Sequence, residues 1–294
     1  MMVLSQNDYG KRLLPYGMIF PAMFFIIVFG LIPIIDSFAT SLVQWNFINA
    51  KVFVGLGNYL DLLLSGDFLK VLANTCYFTV LNVPLTMLFA LALAMLLNGP
   101  VLGKKFFRAL FFSPWVIPTV NVAILWMYIL EPDYGMLNWF LELLGLGGIS
   151  WLASTRWALP AIVFISVWKG AGYFCLLYLA GLQNIPRELY EASAMDGANP
   201  WRQFLRVTLP MLSPTTLFVL IVSVIDSFSQ FDLVAVMTGG GPANRTNLLV
   251  YYLYERAFVA FKAGSASAVA MIVLGILMIF TFAQFKLSDK WVHY

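Results

Sequence analysis

The sequence predicts an all-α integral membrane protein with six transmembrane helices. Hydrophobic residues fill 61% of the 294 positions and charged residues only 11%, whereas about 25% of the residues of a soluble domain are charged. The mean hydropathy is +0.86. Six segments are long and apolar enough to cross the hydrocarbon core, which an α-helix spans with about 20 residues. These observations exclude a water-soluble globular domain.

The first span follows Lys11 and Arg12, as the apolar part of a signal peptide would. It is too long for that part, and no convincing cleavage site of small residues follows it, so we interpret it as a retained span. The predicted spans cover residues 13–38, 72–97, 106–130, 157–182, 211–237 and 265–285. We divide the chain into an N-terminal span with its outside loop, residues 1–70, and a core, residues 71–294.

The distribution of lysine and arginine predicts that both termini are cytoplasmic. With the N-terminus inside, ten of these residues fall in inside segments and six in outside loops, and an excess of positive charge marks the cytoplasmic side. The inside residues are Lys11, Arg12, Lys104, Lys105, Arg108, Arg187, Arg202, Arg206, Lys286 and Lys290.

No motif of a catalytic, metal or cofactor site is present in the sequence. Cys76 and Cys175 lie in apolar runs without metal-ligand spacing, and the single histidine is His293. The run from Gly99 to Lys105 is similar to a phosphate-binding loop, but its glycines are one residue too close and Lys105 replaces the required Ser or Thr. The small net charge of +3 does not indicate nucleic-acid binding. We therefore expect no enzymatic centre in this chain.

The polar stretch 188–210 interrupts this apolar sequence and predicts two short helices around a turn. Gly197 suits a helix C-terminus, and Asn199 followed by Pro200 suits the start of the next helix. An amphipathic hairpin lying on the lipid surface is one interpretation. A docking element for a soluble partner is the other. It is favoured by the acids Glu188 and Glu191 near the apolar face, because an anionic membrane surface repels acids.

The same stretch carries a recognisable motif. Its residues read Glu191-Ala192-Ser193, three residues, Gly197, nine residues, and then Val207-Thr208-Leu209-Pro210. This resembles the EAA loop of permease subunits in ABC importers, in particular those of the maltose and glycerol-phosphate type, with Ser193 and Val207 replacing Ala and Ile. The resemblance extends to the runs at 110–115, 167–169 and 238–242.

The resemblance implies a type I ABC importer permease (MetI-like) fold, in which the loop at 184–210 is a cytoplasmic coupling helix seated in an ATPase subunit. The implied coupling residues are Glu191, Ala192, Ser193, Asp196 and Gly197. The implied partners are a second permease subunit, two ATPase subunits that carry the ATP and magnesium, and an extracytoplasmic solute-binding protein. The implied location is the bacterial cytoplasmic membrane.

Charged residues at membrane depth indicate a solute path, because they are costly there unless they serve a function. Lys169 lies near the middle of the fourth span and Asp226 within the fifth. Ser223, Ser227 and Gln230 fall on one helical face. An alternative is that Lys169 and Asp226 pair only to hold two helices together.

The resemblance places sugar-contacting positions on the same face. Those positions correspond to Trp115, Ser166, Lys169, Gly170, Tyr173, Ser223, Ser227 and Gln230. Aromatic rings such as Trp115 and Tyr173 could stack on sugar faces, and Lys169 could favour an anionic solute. The expected solute is a sugar, an oligosaccharide or glycerol 3-phosphate. An ion-coupled secondary transporter is the alternative function, which would need no EAA loop.

Overall fold

The computed structural model describes residues 7–100 and 102–292, so His293 lies outside the described residues. The described chain has five helical spans long and apolar enough to cross a membrane, and six if one sharply bent helix pair is counted as a span. The predicted membrane architecture is therefore confirmed, with the bend as its main departure.

The N-terminal span consists of α1, Asn7–Ile26, a π-helical turn at Ile27–Leu31, and α2, Ile32–Ser41. Its residues from Pro15 to Ser41 are strongly apolar, and its most apolar stretch is not buried within the chain. From Pro15 onwards, where the side chains of the span are described, Thr40 and Ser41 at its end are the buried residues. The span is attached to the rest of the molecule mainly through α2, which packs against the last helix, α15, Ala263–Ser288.

A small folded loop follows the first span. Strands β1, Val43–Gln44, and β2, Val52–Phe53, pair antiparallel and lead into helix α3, Gly57–Leu64. The side chain of Asn58 fixes the loop by donating to the carbonyls of Ser41 and Val43. This two-residue ladder is the one departure from an all-α fold among the described residues.

Three long helices build the core with α15. These are α4, Gly66–Asn98; α8, Ala158–Gln183; and α12, Ser213–Phe228. Helix α8 is the most buried span and packs against both α4 and α12. Glycines allow the closest approaches: a Cβ added to Gly172 of α8 would stand 1.8 Å from the Phe111 carbonyl oxygen. The core thus depends on small residues at the crossings, as is usual for packed membrane helices.

The predicted third span, 106–130, is not one straight helix. It consists of α5, Lys104–Val116, and α6, Thr119–Ile129, which are bent by 97° relative to each other. Pro118 lacks a backbone N–H, and Ile117 before it is extended, at φ −68° and ψ 131°. A residue before proline avoids the helical region, so the chain turns here.

The predicted fifth span is interrupted as well. Helix α12 ends at Phe228, and α13, Asp232–Met237, resumes after three residues. The short helices α7, Met136–Leu143, and α14, Leu249–Tyr254, lie in the connections, and a π-helical turn at Glu255–Val259 follows α14. Interrupted helices at membrane depth line cavities in many transporters.

Candidate functional site

A cavity of about 420 Å³ lies where the two interrupted spans meet α8. Six of the nine predicted path residues line it: Trp115, Ser166, Lys169, Gly170, Asp226 and Gln230. Residues from α5, α8 and the end of α12 are therefore brought together although they are far apart in sequence.

Lys169 reaches across this cavity from α8 to the end of α5. Its ammonium donates to the Trp115 carbonyl at 3.3 Å and lies 5.0 Å from the centroid of the Trp115 ring. Asp226 lines the same cavity, but no ion pair between Lys169 and Asp226 is found among the described residues. At contact distance Lys169 therefore meets a backbone carbonyl, while the charges of Asp226 and Asp232 act on its ammonium without direct contact.

Ser166 and Gln230 meet on another part of the wall. The Gln230 Nε2 group donates to the Ser166 hydroxyl at 3.4 Å, joining α8 to the segment after α12. Gly170 lies where α8 meets α4, since an added Cβ would be 3.5 Å from Thr86 Cγ2. That distance is an ordinary van der Waals contact, so Gly170 lies against α4 as well as on the cavity wall.

Ser223, Ser227 and Tyr173 do not line the cavity. Ser223 is 2% exposed and donates to the Leu220 carbonyl of its own helix, while Ser227 is 1% exposed and donates to Thr79 Oγ1 of α4 at 2.9 Å. Both hydroxyls are therefore used within the chain. Helical spacing predicts that Ser223, Ser227 and Gln230 share one polar face. Of these three residues, only Gln230 lines the cavity.

Tyr173 stacks on Trp115 with ring centroids 4.5 Å apart and an angle of 12° between the ring planes. The two rings therefore stack on each other. From the sequence, each is expected instead to stack on the face of a sugar. The structure also brings residues to the wall that sequence reasoning missed: Thr119, Ser229, Phe231 and Asp232. The available signals were Pro118 before Thr119 and the polar run 226–232, which breaks the fifth span.

The polar hairpin forms as the sequence predicts. Helix α9, Arg187–Met195, is followed by Gly197 in the left-handed conformation at φ +74°. Helix α10, Pro200–Gln203, begins after Asn199, whose side chain accepts from the Arg202 N–H at 2.8 Å. The chain then continues through a π-helical turn at Phe204–Thr208 into α11, Leu209–Met211.

Two hydrogen bonds connect the two arms of the hairpin. The Tyr190 and Thr208 hydroxyls are 3.0 Å apart, and Gln203 Nε2 donates to the Tyr190 carbonyl at 3.4 Å. The Ser193 hydroxyl also bonds to that carbonyl, at 2.8 Å. The predicted coupling residue Ser193 therefore has a role inside the hairpin.

The other predicted coupling residues are exposed: Glu191, Ala192, Asp196 and Gly197. Large apolar side chains are exposed beside them, with Met195 at 89% and Trp201 at 66%. Glu191 makes no side-chain hydrogen bond or ion pair within the described residues. The hairpin therefore presents acids and apolar groups together on a surface that none of the described residues covers.

A family model matches most of the chain. The model described as "Binding-protein-dependent transport system inner membrane component" matches residues 54–294. The match includes the cavity and the hairpin and begins after the N-terminal span, which ends at Ser41.

Curated relatives match the chain over nearly its whole length. The chain is 36% identical to the "Trehalose/maltose transport system permease protein MalF" of Thermococcus litoralis, over 97% of this chain and 96% of the relative. It is 34% identical to the "sn-glycerol-3-phosphate transport system permease protein UgpA" of Brucella abortus, over 99% and 100%.

Solved structures share the fold. A chain from a bacterial ABC transporter involved in the import of the acidic polysaccharide alginate superposes with a TM-score of 0.81 at 23% identity, covering 97% of this chain and 98% of that one. A chain of the MetNI methionine ABC transporter superposes with a TM-score of 0.54 at 17% identity, covering 77% and 97%. The described helices therefore have the architecture of ABC importer permeases.

Proposed function

The chain belongs to the inner membrane components of binding-protein-dependent transport systems, the permease subunits of ABC importers, and from this premise we propose that it imports a sugar, an oligosaccharide or glycerol 3-phosphate. It is a multi-pass protein of the inner membrane. In the proposal, separate ATPase subunits supply the driving force and this chain supplies half of the passage.

The observation that carries the proposal is the exposed hairpin. Exposed Met195 and Trp201 beside the unpaired Glu191 form a surface suited to a protein partner with an apolar cleft and a basic residue. A lipid surface would accept the apolar groups but would repel the acids. Docking on an ATPase subunit therefore explains the composition better than lying on the membrane.

The solute class rests on the cavity and on the names of the relatives. Hydroxyl, amide, ammonium and carboxylate groups line about 420 Å³ at the helix breaks, which suits a small solute with many hydrogen-bonding groups. Relatives named for trehalose and maltose and for glycerol 3-phosphate support the same class.

The proposed assembly has a second permease subunit, two ATPase subunits and an extracytoplasmic solute-binding protein. The last is supported by a solved alginate transporter of the same fold in complex with its solute-bound periplasmic protein. In this assembly ATP and magnesium are bound by the ATPase subunits and this chain needs no cofactor of its own. Both termini, and the hairpin at 184–210, lie on the cytoplasmic side.

The test is co-expression of this chain with the candidate partners, followed by purification and reconstitution into liposomes. We expect a complex that accumulates labelled solute only with ATP and binding protein, while the chain alone hydrolyses no ATP. Uptake driven by an ion gradient without ATP would instead identify a secondary transporter. ATP turnover by the single chain, after removal of contaminating ATPases, would refute the permease function.

A further inference from the structure

We propose that the central cavity admits neutral polyhydroxylated carbohydrates and discriminates against anionic solutes, with Asp226 and Asp232 as the specificity-determining residues. This inference rests on the proposed function and narrows its solute class. Neither aspartate is among the sugar-contacting positions that the resemblance implies.

The wall of the cavity has an excess of negative charge when its charged groups are ionised. The cavity is lined by one ammonium, Lys169, and two carboxylates, Asp226 and Asp232. When all three groups are ionised, the wall has a formal charge of −1. A phosphate or carboxylate entering the cavity meets this excess of like charge in a partly dry environment, where charges interact more strongly than in water.

Lys169 already has partners within the chain. Its ammonium donates to the Trp115 carbonyl at 3.3 Å and lies over the Trp115 ring. One of its three N–H donors is used in this way and the Trp115 ring covers part of the ammonium, so fewer donors remain for an anion. In the sequence, Lys169 alone suggests a preference for anions. The nearby carboxylates and the bond to the Trp115 carbonyl both oppose that preference.

The two aspartates can accept hydrogen bonds from a solute. The carboxylates of Asp226 and Asp232 make no side-chain hydrogen bond or ion pair within the part of the chain that the structure describes. An ionised carboxylate only accepts hydrogen bonds, and both of these carboxylates line the cavity, where a solute can donate to them. Carbohydrate hydroxyls donate, whereas a phosphate dianion brings further acceptors. The hydroxyls of neutral sugars therefore complement the two carboxylates, which have no hydrogen-bond donor of their own among the described residues.

An aromatic surface completes the site. Phe231 lies between Gln230 and Asp232 on the wall, and its ring is not stacked on Trp115. The ring packs against Tyr251 and Tyr254, with centroids 6.0 and 5.4 Å apart, so Phe231 is held as an apolar part of the wall beside the carboxylates. Sugar rings suit such a wall because they have apolar faces and polar edges.

The test uses the complete importer, with its binding protein, in ATP-loaded liposomes. A mixed panel is supplied outside: maltose, trehalose and neutral oligosaccharides, together with maltobionate, sn-glycerol 3-phosphate and uronic-acid oligosaccharides. The accumulated solutes are identified by mass spectrometry. We expect only neutral members to accumulate. ATP-dependent accumulation of an anionic member to the level of its neutral counterpart, or above it, would overturn the inference.

Variants assign the discrimination to the two residues. Asp232→Asn removes a charged acceptor without changing side-chain size, and we expect neutral uptake to fall about tenfold. The double variant Asp226→Asn with Asp232→Asn changes the formal charge of the wall from −1 to +1. We expect it to shift the uptake ratio of maltobionate to maltose about tenfold towards the anion. The exposed Asp133, changed to Asn, is the matched control outside the cavity.

Assembly and coupling are measured in parallel. These measurements distinguish a failure of the inference from a failure of the proposed function. The yield of complex by size exclusion and its ATPase activity report folding and coupling. Unchanged selectivity in a well-assembled double variant would overturn the role of the aspartates. If no panel member accumulates with ATP although the complex hydrolyses it, the proposed function itself fails and this inference fails with it.

Discussion

The Lys169 ammonium donates to the Trp115 carbonyl at 3.3 Å, which links the middle of α8 to the last turn of α5. In a continuous helix, the Thr119 N–H would bond to this carbonyl. The bend at Ile117 and Pro118 carries that N–H into a new helix. Lys169 thus supplies a donor to a carbonyl that the helix break leaves without its regular partner.

This contact predicts the outcome of removing the lysine. Lys169→Met leaves the Trp115 carbonyl unsatisfied at a cost of about 1–3 kcal/mol, so we expect a lower unfolding temperature of the assembled complex and reduced solute uptake. Lys169→Arg keeps a charged donor and is the matched control, with smaller losses. Thermal unfolding of the purified complex and uptake in liposomes measure the two effects.

The double variant Lys169→Met with Asp226→Leu separates this explanation from a simple ion pair. If Asp226 were the only partner, replacing both residues by apolar ones would restore assembly and transport together, because removing both members of a buried pair is often neutral. Since Lys169 contacts a backbone carbonyl instead, we expect no rescue. Wild-type uptake in the double variant would contradict this expectation and exclude Lys169 from the solute path.

The sequence predicts much of this site because charged residues in apolar spans are conspicuous. Lys169 and Asp226 are found in this way, and both line the cavity. Ser223 and Ser227 show the limit of the method. Helical spacing shows that they share a face, but it does not show that this face packs against Thr79 of α4.

The bend at Pro118 is not predicted from the sequence, for a related reason. Membrane helices tolerate proline, and the hydropathy stays high through Ile117 and Pro118, so the segment reads as one span. The hairpin is more predictable, because Gly197 and Asn199 fix their conformations locally through a positive φ and a side-chain cap. Conformations that a residue fixes locally, such as a turn or a helix cap, can be predicted from the sequence. Which helices pack against each other depends on the whole fold.

The hairpin predicts that Glu191 is the charged contact to the ATPase. Glu191→Ala should leave the chain in the membrane but weaken ATPase binding or uncouple it, and breaking a pair that becomes buried on docking costs about 3–5 kcal/mol. Glu188→Ala is the matched control, because Glu188 is also exposed on α9. Co-purification and solute-stimulated ATP hydrolysis are the measurements. If the Glu191→Ala variant co-purifies with the ATPase and hydrolyses ATP as the parent does, Glu191 is not the contact.

Substitutions of Gly197 should strain the backbone of the hairpin turn. The φ of Gly197 is +74°, and an added Cβ would meet no atom within 4 Å, so a substitution is limited only by the backbone. Gly197→Ala should therefore strain the turn by about 1 kcal/mol, whereas Gly197→Asn should be better tolerated because asparagine adopts this conformation more readily. We expect coupled uptake to fall in the order Gly, Asn, Ala. Equal uptake by all three would show that the turn geometry is not used in docking.

The crossing of α5 and α8 gives the most stringent prediction about packing. A Cβ at Gly172 would stand 1.8 Å from the Phe111 carbonyl oxygen and 2.6 Å from its carbon, and neither atom belongs to a flexible side chain. Gly172→Ala must therefore push the two helices apart, and overpacking of this kind costs about 1–3 kcal/mol. Because Trp115 lies one turn beyond Phe111 on α5, the shift should also displace the cavity wall and reduce uptake.

The matched control is Gly275→Ala on α15, where an added Cβ would meet nothing within 4 Å. Alanine favours a helix more than glycine does, so this variant should be as stable as the parent complex or slightly more so. The two variants make the same chemical change on two spanning helices and differ only in the space available. Equal unfolding temperatures for both would mean that α5 does not approach α8 this closely, and the placement of Trp115 beside Lys169 would fail with it.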